Sequence, residues 1–266
     1  GGAMERAGRI DEAVALYLDV PEASPFYVTA QVSAADLLDD HGKTDEAIKI
    51  LSRLERNEST SALAASALGD VYRARKDWPE AVEAYTRAIE RTGPNYAEDD
   101  WPLFYARAIA NERARRWPAA EADFFKALEL KPEQPLVLNY LAYSWVERGE
   151  NIDKALKMLQ RAVDQRPDDG LVIDSLGWAY YRLGQYDKAV EVLETAIQFS
   201  PYESTLNEHL GDAYWKTGRK REARFLWRHA LKLKPEDERI PILQAKMKGG
   251  LEAGEALESR SAASAP

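Results

Sequence analysis

The chain has 266 residues, a formal net charge of −9 and no cysteine. Disulfides, thiolate metal sites and a cysteine nucleophile are excluded, and the acidic balance argues against general binding to nucleic acid or anionic lipid, whose phosphates need basic partners. No apolar run is long enough to span a bilayer, and no signal peptide is visible, although Gly1-Gly2-Ala3-Met4 reads as an added start from which a targeting segment has been cut.

In chain order, the pattern predicts helices almost throughout. Residues 1–27 read as the second half of a unit, with one helix at about 10–21 whose apolar face is left uncovered. Six two-helix units follow at 28–61, 62–95, 101–134, 135–169, 170–203 and 204–237. Residues 96–100 are an insert, and one extra residue follows Gly149. Residues 238–248 read as a capping helix with Ile240, Leu243 and Met247 on one face and Lys246 and Lys248 on the other. Residues 249–266, rich in Gly, Ala, Ser and Glu, are expected to be a disordered tail.

The units repeat every 34 residues, as Gly177 and Gly211, Ala189 and Ala223, Ala196 and Ala230, and Pro201 and Pro235 show. One column of the second helix reads Ala13, Ala47, Ala81, Ala120, Ala155, Ala189 and Ala223. A column of the first helix reads Ala35, Gly69, Ala108, Ala142, Gly177 and Gly211. Small residues at both places let two helices of a hairpin approach closely. A third column, Tyr17, Leu51, Tyr85, Phe124, Leu159, Leu193 and Trp227, is expected to fill the space between neighbouring hairpins. Gly8, Gly42, Gly149, Gly184 and Gly218 mark the turns inside hairpins, and Pro25, Pro132, Pro167, Pro201 and Pro235 those between them. This period and pattern resemble the tetratricopeptide repeat (TPR) over roughly residues 5–237. The resemblance implies an all-α, right-handed superhelical solenoid of antiparallel helix hairpins. Local departures are Arg107 and Asn111, where Leu and Tyr are usual, and Lys76 and Arg115 in place of the turn glycine. Looser packing is expected around 101–134.

The chain shows no phosphate-binding glycine loop, no H-E-x-x-H and no distinctive carboxylate pair, so neither an enzyme nor a cofactor is expected. Glu208, His209 and Asp212 share one helical turn, but a few weak ligands on one helix do not close a metal site, and a polar groove lining is the better reading.

In the TPR family, inward-pointing residues come from fixed places of the first helix. Carried over, the early repeats supply Asp36, Asp39, Asp40, Ser66, Asp70 and Arg73, a largely acidic set. The late repeats supply Tyr105, Ile109, Asn139, Tyr143, Asp174, Trp178, Tyr181, Glu208, Asp212 and Trp215, in which aromatics alternate with hydrogen-bonding groups. Such a lining suits a protein or peptide segment, unless the aromatics are simply core. The lysines of the chaperone-clamp type are missing, which argues against Hsp70- or Hsp90-type tails as ligands. Lys220, Arg221, Arg224 and Arg228 form a basic stripe expected on the outer side, read as a solvated face.

The stretches Leu138–Trp145, Asp174–Tyr181, His209–Trp215 and Glu222–Arg228 go beyond the general repeat pattern. They resemble a bacterial group of TPR proteins, many of them exported lipoproteins, that includes an adaptor of a periplasmic carboxyl-terminal processing protease. That implies a scaffold or adaptor in the periplasm or at the outer membrane, with a protease or its substrates as partners; a cytoplasmic location is the alternative. Two other expectations are a regulatory TPR region of a larger enzyme and a dimer through the open N-terminal face.

Overall fold

The computed structural model describes residues 2, 4, 8–57 and 60–264. Among them are 15 α-helices, one 3₁₀ turn at Glu98–Asp100 and no strand. The chain divides into two compact units, Gly1–Pro132 and Glu133–Pro266.

The first unit holds α1 (Ile10–Leu18), α2 (Tyr27–Asp40), α3 (Thr44–Glu55), α4 (Ser61–Ala74), α5 (Trp78–Thr92), α6 (Trp101–Arg113) and α7 (Trp117–Leu130). The second holds α8 (Pro135–Arg148), α9 (Ile152–Gln165), α10 (Gly170–Arg182), α11 (Tyr186–Phe199), α12 (Ser204–Lys216), α13 (Lys220–Lys232), α14 (Arg239–Gly249) and α15 (Leu251–Ser264). Within each unit successive helices pair as hairpins, and successive first helices also touch: α2 with α4, α4 with α6, α8 with α10, and α10 with α12.

The small-residue columns create the close approach. Every alanine of the second-helix column is fully buried. In the first-helix column, a Cβ on Gly69 would lie 2.5 Å from the Tyr85 ring, one on Gly177 2.6 Å from Leu193, and one on Gly211 2.6 Å from the Trp227 indole nitrogen. The large residue sixteen places on thus sits over the glycine of its own hairpin. This corrects the expectation that the third column fills only the space between hairpins.

Each complete hairpin turns by the same device. An N–H two or three residues past the helix end reaches back five residues, as in Lys43 to Leu38, Asp77 to Tyr72, Arg116 to Asn111, Glu150 to Trp145, Gln185 to Tyr180 and Arg219 to Tyr214. That closure needs one residue in the left-handed region. Gly42, Gly149, Gly184 and Gly218 supply it freely, whereas Lys76 and Arg115 take it at φ 61° despite their side chains.

Around residues 101–134, the Leu and Tyr of the repeat are replaced by a polar core. Arg107 donates twice to Asp123, at 2.8 and 2.7 Å, and Asn111 donates to the same carboxylate at 3.2 Å. The substituted residues are buried or half-buried and mutually satisfied, so the departure is a change of packing chemistry.

The C-terminal region departs most from expectation. Residues expected to form a disordered tail make α15, and Lys246, placed by pattern on the outer face of α14, is 2% exposed. Both differences have one cause. The end of α12 offers buried carboxylates and a tryptophan that α14 and α15 cover, and α14 turns Lys246 inward to neutralise them. Residues 265 and 266 of the predicted tail lie outside the described residues.

Candidate functional site

The acidic set of the early repeats lies on α2 and α4. Burial and the neighbouring Asp70, Asp40 and Asp39 push the Asp36 carboxyl up to about 6. Asp70 accepts hydrogen bonds from Arg73 at 3.1 Å and from the Tyr85 hydroxyl at 2.8 Å, so part of this face braces the hairpin. Tyr105 also belongs to the first unit, half-buried, with its ring 5.8 Å from Trp101 and 6.1 Å from Phe124.

The second unit brings the other eight expected residues onto α8, α10 and α12, where they divide into an accessible part and a covered part. In the accessible part, the Trp178 ring stacks on Tyr181 at 4.6 Å and on His209 at 3.9 Å, within 8° and 12° of parallel. Its indole N–H donates to the exposed Glu147 at 2.5 Å, and the exposed Arg182 donates to the same carboxylate at 2.9 Å. Tyr143 and Asn139 are half-buried on α8. Burial raises the Tyr143 phenol above its ordinary range, and Glu147 and Asp174 add to the effect. The Asn139 side-chain oxygen is buried and accepts no hydrogen bond from the described residues.

Asp174 faces inward. Both its oxygens lie 3.0 Å from His209 Nδ1. Burial alone would depress the His209 imidazole, but Asp174, with Glu208 and Asp212 nearby, outweighs it and holds the ring above its ordinary pKa.

The covered part centres on α12. Lys246 Nζ of α14 lies 2.6 Å from Glu208 and 2.6 Å from Asp212, and Asp212 also accepts from the Trp227 indole at 2.9 Å. Arg239 donates to Glu208 at 2.5 Å. Burial would depress the Lys246 ammonium, yet the two carboxylates hold it above its ordinary value; Lys246 and Arg239 likewise draw Glu208 below its own despite burial. Trp215 keeps 9% exposure. Its ring meets Gly250, where a Cβ would come within 2.3 Å, and its N–H donates to Glu252 at 3.2 Å. Lys220 and Arg224 of the basic stripe lie over that ring at 4.9 and 5.0 Å.

These contacts correct one expectation and add three residues to the site. Glu208, Asp212 and Trp215 do not line an open groove, because α14 and α15 occupy the space before them. The Glu208 and Asp212 carboxylates are taken by cations of the chain itself, and His209 Nδ1 by Asp174. Lys246, Arg239 and Glu252 were missed as contributors. Their signal was present in the sequence as charges recurring on a helix beyond the last repeat, but nothing local told which face would be covered.

Hairpins of this period, with glycine or alanine under a large residue and a left-handed turn, match known sequence families over most of the chain. Profiles described as Tetratricopeptide repeat match residues 32–97, 105–170 and 205–237, and one described as TPR repeat matches 177–218. The chain belongs to the TPR proteins. A TPR repeat-containing protein of Pseudomonas aeruginosa is 28% identical over 164 residues, which is 60% of this chain and 26% of that protein. The chain therefore spans about a quarter of that relative's length. Among solved structures, a TPR protein from Parabacteroides merdae superposes with a TM-score of 0.71 at 16% identity, covering 95% of both chains. The APC/C Cut9–Hcn1 hetero-tetramer gives 0.71 at 16% identity over 93% of this chain and 48% of that one. The Pseudomonas aeruginosa protein PilF gives 0.58 at 17% identity over 78% of this chain and 95% of that one. At these identities the structural likeness establishes the fold, an all-α TPR solenoid. The TPR repeats support a protein-interaction scaffold, and the TPR family is in general non-catalytic. No described helix is long and apolar enough to cross a membrane.

Proposed function

We propose that the second unit holds a segment of a partner protein against the first-helix face of α8 and α10, and that the chain has no catalytic activity of its own. The observation that carries this is the Trp178 platform. A half-buried indole, held between the Tyr181 and His209 rings and fixed by Glu147, presents a rigid apolar edge with an exposed arginine beside it. Aromatics of this kind give contact area at low entropic cost, with arginine a frequent neighbour. The Asn139 oxygen is an acceptor a bound backbone can satisfy once the amide rotates. The finer reading is an adaptor in a bacterial envelope that brings substrates to a processing protease. It is supported by the residue stretches named above on α8, α10, α12 and α13.

The test is retention of envelope proteins on the immobilised chain, compared with Trp178→Ala and Arg182→Glu, with helix content checked by circular dichroism. Loss of the same partner from both variants supports the reading. Full retention by both contradicts it. A second reading, a TPR region within a larger protein, is favoured by the share of the Pseudomonas relative that the chain spans. The sequence of the complete gene decides it.

A further inference from the structure

α15 sits on the rest of the second unit mainly through charge. Glu252 accepts from the Trp215 indole at 3.2 Å, Glu255 lies 3.5 Å from the Lys216 ammonium, and Glu258 accepts from Arg239 at 2.5 Å. These three carboxylates recur every third residue, so they fall along one side of the helix. The apolar part of the contact is small. Leu251 is 1% exposed and Gly254 lies against the Lys246 side chain, where a Cβ would come within 2.4 Å. Most of the remaining described positions of α15 are exposed. A helix with so few buried apolar groups belongs to the least stable part of a fold. Beneath it lie the Trp215 ring and the Lys246 methylenes, rimmed by the cations of Lys216 and Arg239, with Lys220 over the same ring. Trp215 and Lys216 end α12, so the trough continues the first-helix face.

We propose that this trough is a docking site for an acidic amphipathic helix of a partner protein, with carboxylates three residues apart and a small residue at the point of closest approach. α15 is its internal competitor. This deepens the reading that the second unit binds a protein segment, and rests on it. Charge complementarity selects the occupant: a basic or purely apolar helix would leave Lys216 without the carboxylate it now meets and Arg239 with Glu208 alone. Binding in trans requires α15 to leave, so the apparent affinity falls by the fraction of molecules in which the trough is open.

The experiment uses the full chain and a fluorescein-labelled peptide with the natural sequence of residues 249–264, read by anisotropy. Glu252→Lys, Glu255→Lys and Glu258→Lys together should free the trough. The peptide is expected to bind this variant at least about tenfold more tightly than the unaltered chain, and a peptide carrying the same three lysines should bind neither. If natural peptide binds neither chain while circular dichroism shows the variant folded, the proposal fails. Should the variant not fold, hydrogen exchange on the unaltered chain replaces it. Saturating peptide should accelerate exchange in α15, and unchanged exchange overturns the proposal. The Trp178→Ala retention assay reads the other part of the face. Loss there with no peptide binding here removes this inference and leaves the broader one standing.

Discussion

The Trp178 indole lies flat on the His209 imidazole, centroids 3.9 Å apart and 12° from parallel. One residue belongs to the accessible face and the other to the buried pair with Asp174, so the chemistry beneath the platform affects its rigidity. Because the folded-state pKa of His209 is raised above its unfolded value near 6.5, its protonation stabilises the fold. That contribution is fully present below about pH 6.5 and is lost as pH rises through the folded pKa. Urea unfolding at about pH 6 and about pH 9 should show the loss, with a slope of at most about 1.4 kcal/mol per pH unit from this group. His209→Phe should flatten that component. An identical pH dependence in both proteins would remove His209 from the account.

Lys246 neutralises two buried carboxylates, at 2.6 Å each. Lys246→Met keeps the side-chain volume and leaves Glu208 with Arg239 alone and Asp212 with the Trp227 N–H alone. The expected loss is about 3–5 kcal/mol of unfolding free energy. Adding Glu208→Gln and Asp212→Asn should restore much of it, since the cost lies in uncompensated charge. Chemical denaturation of the three proteins measures both effects.

Gly211 and Trp227 form the small-to-large contact of the α12–α13 hairpin. The Trp227 ring cannot swing aside without breaking its hydrogen bond to Asp212 at 2.9 Å. Gly211→Ala gains about 1 kcal/mol of helix propensity, but overpacking costs about 1–3 kcal/mol. A net loss, near 1 kcal/mol, is expected in thermal or urea unfolding, accompanied by a shift in tryptophan fluorescence.

The turns at Lys76 and Arg115 supply a gain. Both adopt a left-handed backbone that costs a residue with a side chain about 1–2 kcal/mol relative to its preferred region. Glycine relieves that cost but adds unfolded-state entropy. Lys76→Gly and Arg115→Gly should each stabilise the chain by about 0.5–1 kcal/mol, measured by the denaturation midpoint. The same change at Lys131, which is outside the left-handed region at φ −137°, should not stabilise.

Most of the repeat could be read because its physics is local and recurs. Ala189 and Ala223 are small where helices meet, and Gly184 and Gly218 turn left-handed where hairpins close, whatever surrounds them. The exposed or covered state of the site residues was not local. Glu208, Asp212 and Trp215 share places of the repeat with Asp174, Trp178 and Tyr181. Asp174 and Tyr181 are buried as well, against His209 and Trp178, and Trp178 alone stays half-buried; the later set is covered by α14 and α15. α15 was invisible as structure because its composition matches a solvated tail; it is ordered by groups distant in sequence, such as Trp215 for Glu252 and Lys216 for Glu255, and by the Lys246 side chain against Gly254. Arg107 likewise looked like a packing fault until Asp123, sixteen residues on, supplied its partner.

The central claim is that a partner lies against the first-helix face of the second unit. The most direct measurement is site-specific photo-cross-linking in bacterial envelope extract, with a benzophenone amino acid placed at Tyr143 in one protein and at Phe225 in another. Phe225 is 65% exposed on α13. The account predicts one discrete adduct from Tyr143, lost when Trp178→Ala is added, and none from Phe225. Adducts from Phe225 with none from Tyr143 would contradict it.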